Sequence, residues 1–386
     1  MKYKSSEINL LVPSRNLATV DRRLLLKLAL SSAAGLALSP SLRSSALAQD
    51  APKLSGSLGI YSFPAYDDPE VLTAFQETFG PQVRVDSFTS TEEMIAKLTN
   101  ARGTAGYDIV ITPAAVVQSM AEAGILEQFD LPRLPNFKNM DPSLTKLWFD
   151  PENRYSIPKV YGSTGFMYDT SKISRELKSW ADFFDAAQNE ASGMTTVADD
   201  AKTLTGAYFW ANDIDWNTTD AAHLDACQEF LTKKLAPHVK YFDTYPGASG
   251  RSATGDIALM QGFNGDLRMG ILNAAVPGNW KPVFPDLTEI FVDNWSLVKG
   301  APNLDAAYAF LNYTLEPEVA LKEMVYTGSN PGVDGLEEAA KAAGTQLMDL
   351  IFFSPEKRKN WTMGRINEAR QRLVDILSAT KIAAGQ

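Results

Sequence analysis

The chain has 386 residues, with 46 acidic against 36 basic side chains, and its 45 % apolar content suffices for more than one hydrophobic core. Residues 1–48 hold seven Lys or Arg and two acids, so residues 49–386 run to a net charge of −15, which excludes nucleic acid and anionic membrane surfaces as partners by repulsion. A single cysteine, Cys227, excludes an internal disulfide, and 338 residues beyond the leader point to about two domains.

The leader itself is the first element. Arg22 and Arg23 precede an apolar run over residues 28–38, and Ala46, Leu47 and Ala48 form a small-residue cleavage site, the pattern of a cleaved twin-arginine export signal. The run is too short to span about 30 Å of hydrocarbon. The protein is therefore expected outside the cytoplasm, in the periplasm, starting near Gln49. Strand and helix signals then alternate. A strand is predicted over residues 58–61. Asp68 caps a helix with Pro69 at its first position, and Gly80 stops it. Alternation over residues 83–88 predicts a second strand, and Ser90 with Glu93 a capping box for the next helix. Residues 108–111 read as a third strand, followed by a helix opened by Pro113. This order implies a parallel sheet whose ligands gather at strand carboxyl ends, near Phe63, Thr89 and Thr112.

A second set of elements begins in the middle. Strands are predicted over 155–160, 165–168 and 194–197, with helices opened by Ser179 and by Asp199–Asp200. An amphipathic helix covers 219–235 and another 252–261. A strand over 289–298 returns to the first set, followed by helices over 305–315, 317–326 and 361–379.

Catalytic motifs are missing from this pattern. His223 and His238 lie in no HExxH or nucleophile elbow, and the glycines match no phosphate-binding loop. The expectation is no catalytic residue, no metal and no cofactor. Aromatic residues instead stand beside carboxylates at the strand ends: Phe63 and Tyr66, Asp199 and Asp200, Phe263 near Asp266, and Phe291 with Asp293 and Trp295. Aromatic faces attract ammonium groups by about 0.5–2 kcal/mol each, and a carboxylate adds a directed, charge-assisted bond. Together they suit an aliphatic cation. Each aromatic could equally serve a core, and one of Asp199 and Asp200 should cap the following helix.

The words YSFPAYDDPEVLTAF at Tyr61, STEEMIAKL at Ser90, YDIVIT at Tyr107, NRYSIPKVYGSTG at Asn153, ADDAKT at Ala198 and FVDNW at Phe291 resemble, in order and spacing, the periplasmic spermidine/putrescine-binding proteins of ABC transporters. The resemblance implies an α/β, two-lobed periplasmic-binding-protein fold with hinge-connected lobes and a central ligand cleft. It divides the chain into an export signal (1–48), lobe 1 (49–161 and 291–345), lobe 2 (162–290) and a C-terminal helical segment returning to lobe 2 (346–386). It also implies capture of a polyamine and delivery to ABC permease subunits, without chemistry, by a monomer.

Carried over residue by residue, the resemblance places Phe63 and Tyr66 at the family's first aromatic pair and Asp200 at the first carboxylate of its amine grip. Thr203 replaces the second carboxylate. Phe263 takes an aromatic position with Asp266 in place of a serine, Phe291 and Asp293 match the late aromatic and acid, and Trp361 matches a C-terminal tryptophan. Thr362 replaces a glutamine, while Pro113 and Ala115 replace a serine and a tyrosine. The ligand set is thus Phe63, Tyr66, Asp200, Thr203, Phe263, Asp266, Phe291, Asp293 and Trp361. The same fold holding another amine-bearing or zwitterionic solute, an amino acid derivative or opine-like compound, is the alternative; Arg251 and Arg268 would then face its carboxylate. An exported enzyme is the remote one.

Overall fold

The computed structural model describes residues 53–101, 104–243 and 250–386; the expected export signal lies outside them. Strand β1 (Ser57–Ser62), helix α1 (Pro69–Phe79), β2 (Gln82–Ser87), α2 (Thr91–Asn100), β3 (Ile109–Pro113) and α3 (Ala114–Glu122) follow the predicted alternation. The local causes are those in the sequence. Asp68 accepts the Glu70 N–H, Pro69 occupies a position where no N–H is needed, and Gly80 closes the helix at φ 103°. Ser90 accepts the Glu93 N–H at the start of α2. β1 pairs in parallel with both β2 and β3.

After the short β4 (Leu126–Glu127), the two strands expected over 155–160 and 165–168 are one strand of 13 residues, β5 (Ile157–Asp169), buried along its whole length. Its glycines read as interruptions but are points of close approach. A Cβ on Gly162 would stand 2.1 Å from Asn264 Oδ1 and 2.5 Å from Phe291 Cζ, and one on Gly165 2.5 Å from the Val283 carbonyl. There follow α4 (Trp180–Gln188), opened by the Ser179–Asp182 capping box, β6 (Thr195–Ala198), α5 (Ala201–Ala211), α6 (Ala221–Phe230) and β7 (Val239–Asp243).

The helix expected over 252–261 is corrected to one turn, α7 (Arg251–Thr254), and a strand, β8 (Leu259–Phe263). Gly255 at φ 73° stops the turn, and Ile257, Ala258, Leu259 and Met260 are all fully buried, as a strand covered on both faces requires. Next come α8 (Asn264–Asn273), β9 (Trp280–Val283), β10 (Ile290–Val298), α9 (Leu304–Thr314), α10 (Pro317–Thr327) and α11 (Leu336–Ala342). The last helix, α12 (Arg370–Ala383), starts nine residues later than expected. Asn217 accounts for part of this, accepting the Arg365 N–H and donating to the Met363 carbonyl, so those groups are satisfied outside a helix.

The strands run in the order β2-β1-β3-β10-β5-β8-β6-β7, with β4 on β10 and β9 on β5. β10 is antiparallel to β3 and β5, and β5 is antiparallel to β8. One core gathers around Ile60, Phe75, Ile111, Trp295 and Phe310, and another around Phe166, Trp180, Phe209 and Leu259. β5 joins them, pairing with β10 through Ser163 and with β8 from Thr164 onward. This is the two-lobed, hinge-connected α/β arrangement.

Candidate ligand site

Antiparallel pairing brings the first half of β10 to the end of the sheet where β1 and β3 stop. Asp293 lies opposite Pro113, the last residue of β3, and Phe291 lies opposite Gly162 of β5. The loop after β1 supplies Phe63 and Tyr66, whose rings meet edge to face at 5.5 Å, with Phe63 also 4.4 Å from Phe88. From the other half, the end of β8 supplies Phe263, edge-on to Phe291 at 5.4 Å. Gly162 is what lets the Phe291 ring lie against β5.

Asp293 is half-buried and accepts a 2.6 Å hydrogen bond from the Tyr66 hydroxyl. Burial pushes its carboxyl up to about 6, against the pull of that hydroxyl and of the Lys159 ammonium. Lys159 is itself buried, 2.8 Å from Asp67 and 3.4 Å from Glu323, with its ammonium 4.1 Å from the Trp295 ring centre and 5.4 Å from that of Tyr66. Burial alone would lower its affinity for a proton, but Asp67 and Glu323 outweigh that and hold it charged. The fold thus binds an ammonium of its own between acids and rings beside Asp293.

Asp200 lies at the surface just after β6 and caps α5, accepting the Thr203 N–H at 2.7 Å, while Asp199 is engaged by Lys381 at 2.8 Å. Thr203 is buried beneath that cap, and Asp266 lies half-buried in the first turn of α8. Trp361 is only 7 % exposed; it packs on Phe353 at 4.9 Å, and its indole N–H goes to the Pro285 carbonyl. The ring expected as a cage wall lies buried against Phe353 and Phe284. Arg251 pairs with Asp243 and stacks on Tyr241, and buried Arg268 donates to the Gln346 carbonyl.

Sequence reasoning missed Glu289 and Lys202. Glu289 is 7 % exposed, where the chain enters β10, and its carboxylate accepts the Thr164 hydroxyl. Side chains alternate along a strand, so Glu289, Phe291 and Asp293 share one face, the two acids' Cα atoms about 13 Å apart. Burial raises Glu289 to about 7; Thr164 opposes this, Asp200 adds to it, Lys202 opposes it and Asp293 adds to it. Glu289 thus feels the acids of both halves. Lys202, in the first turn of α5, donates to the Trp216 carbonyl and Asn217 Oδ1, and burial lowers its ammonium to about 8. The signal for Glu289 was present as the alternation E-x-F-x-D at the head of the predicted strand. Among the described residues no cluster of three or more His, Cys, Asp or Glu is arranged to hold a metal.

Residues 70–348 match the family model described as bacterial extracellular solute-binding protein. Among similar proteins, the putrescine/agmatine-binding protein of Pseudomonas aeruginosa is 29 % identical over 70 % of this chain and 77 % of its own length. The spermidine/putrescine-binding periplasmic protein of Salmonella typhimurium is 30 % identical over 71 % of this chain and 77 % of its own. The crystal structure of a spermidine/putrescine ABC transporter substrate-binding protein from Streptococcus pneumoniae superposes with a TM-score of 0.71 at 24 % identity, covering 86 % of this chain and 100 % of that one. At that identity the structural match speaks for the fold, and the sequence matches speak for a solute-binding role without catalysis. These matches mean that the chain, whose strand ends gather acids and rings, belongs to the bacterial extracellular solute-binding proteins.

Proposed function

We propose that this protein is the periplasmic component of an ABC importer and that its ligand is a polyamine of the spermidine/putrescine kind, held between the lobes and passed to membrane permease subunits. The observation that carries the reading is the corner made by Asp293, Tyr66, Phe63, Phe291 and Phe263: a half-buried carboxylate met by a phenol and set among aromatic rings. Such a corner holds an ammonium by charge and its methylenes by contact. Asp200 and Asp266, at helix starts on the second half, are proposed for the ligand's far end. Thr203, buried under the Asp200 cap, has no charge to offer there. The polyamine-binding relatives support the ligand class. The lobe boundaries read from the sequence, the monomeric state and the cleaved twin-arginine signal belong to the same proposal.

Calorimetric titration of the purified protein with putrescine, spermidine and agmatine tests it. Asp293→Asn is expected to weaken the preferred polyamine by about 1.5–3 kcal/mol, the scale of a hydrogen bond to a charged group. Unchanged affinity would remove Asp293 from the site. Absence of heat with every polyamine would overturn the ligand class. A second reading, an amine ligand that also carries a carboxylate, is favoured by one observation, the Lys202 ammonium beside Asp200 and Glu289; γ-aminobutyrate or arginine outcompeting putrescine would select it.

A further inference from the structure

We infer that Glu289 is a further anionic group of this site and determines its specificity for ligands with two ammonium ends, holding a proton until the second ammonium arrives and releasing that proton to solvent as the ion pair forms. The inference rests on the amine reading above. In the step, Glu289–COOH and the ligand's R–NH3+ become Glu289–COO− paired with R–NH3+, and one H+ leaves; no covalent bond on the ligand changes.

The argument is geometric first. Glu289, just before β10, and Phe291 and Asp293 in its first half succeed one another on one face, acid, ring and acid; Gly162 and Val160 of β5 face the last two, and Thr164 hydrogen-bonds the first. Thr164 gives its hydroxyl to the Glu289 carboxylate, Gly162 gives room to the ring, and Val160 offers Asp293 no competing polar group. A chain with an ammonium at each end can therefore lie along the strand with its methylenes over Phe291. The backbone of Glu289 is fixed on both sides. Its carbonyl accepts the Ser163 hydroxyl, and it bridges in parallel to Thr362.

Three charged groups act on Glu289, Asp293 from β10 and Asp200 and Lys202 from the start of α5, while β5 and the Thr362 segment meet it with uncharged side chains, Thr164, Ser163 and Thr362. Lys202 opposes the rise without overcoming it, and its ammonium points its hydrogen bonds at the Trp216 carbonyl and Asn217 Oδ1 and makes no ion pair with Glu289. Burial and two like charges disfavour the carboxylate and raise its titration to about 7, so the protonated form persists to far higher pH than in a free glutamate. An arriving ammonium shifts that balance to the ionised form.

The test is calorimetry of the full-length mature protein with putrescine and with n-butylamine, at pH 7 in two buffers of different ionisation enthalpy, which counts protons exchanged. For putrescine the native protein should release a measurable fraction of a proton and Glu289→Gln markedly less, with affinity about tenfold weaker in the variant. For n-butylamine, anchored at Asp293, the two proteins should agree. Carbon-detected NMR of the native protein supplies a readout that needs no variant: a Glu carboxyl titrating near pH 7 that moves below 6 when putrescine is added. Putrescine binding with equal affinity and equal proton release in both proteins, or a Glu289 carboxyl that titrates in the ordinary range, would overturn the inference and leave the amine reading standing. No binding of either amine to the native protein would sink the amine reading itself.

Discussion

Asp293 and Glu289 are costly to bury as anions, and that cost has a signature in stability. An acid whose proton affinity is higher in the folded than in the unfolded chain favours folding most at low pH. Its contribution is full below the unfolded value, near pH ~4 to 4.5, and is lost as pH rises through about 6 for Asp293 and about 7 for Glu289. For Glu289 the loss is on the order of 3 kcal/mol. Lys202, lowered to about 8, adds no slope below neutrality, and exposed Glu176, lowered to about 2, acts only below pH ~4.5. The melting temperature without ligand is therefore expected to fall between pH 5 and 7.5. Scanning calorimetry should show Asp293→Asn flattening that slope, and a slope of equal size in the variant would remove the residue from the account. At this scale Phe63, Tyr66, Phe291 and Asp293 could be grouped as candidates from the sequence, because strand ends followed by aromatic and acidic residues can be read locally. Glu289 and Lys159 were hidden, since their roles depend on what faces them across the sheet, Thr164 and the Asp67–Glu323 pair.

Element boundaries were legible wherever a cap states them. Asp68, Ser90, Ser179 and Asp200 each accept an N–H of the helix that follows. They were illegible where tertiary contact decides. Gly162 reads as a break, yet β5 passes through it unbroken because Phe291 and Asn264 press on it. Residues 257–260 have an apolar run that fits a buried helix or a buried strand, and only the neighbours β5 and β6 make it a strand. The β5 account can be tested directly. Gly162→Ala would place a methyl within 2.5 Å of both Asn264 Oδ1 and Phe291 Cζ. Thermal unfolding should show destabilisation of about 1–3 kcal/mol, the usual result of overpacking, with weaker ligand binding as the Phe291 ring is displaced. A variant of native stability would mean that those side chains move aside without cost.

For the molecule as a whole, alternation of strands and helices announced two lobes, and the two hydrophobic cores bear that architecture out. How the lobes meet could not be read from one dimension. Arg370 of α12 pairs with Glu92 of α2, and the Arg365 guanidinium lies 4.6 Å from the ring centre of Trp148, so groups far apart in sequence meet at the surface. Exposed pairs of this kind contribute about 0–1 kcal/mol. Arg370→Ala should therefore lower ligand affinity by no more than a few fold, mainly through faster dissociation, and the effect should shrink in high salt. A loss of a hundredfold by stopped-flow would show the pair to be a principal clasp. The unbroken β5 has a mechanical consequence. One ribbon serves both halves, and the Thr164 that passes from one partner strand to the other is the same residue that holds Glu289. A ligand held at the proposed site would therefore bear on the one ribbon that the two halves share.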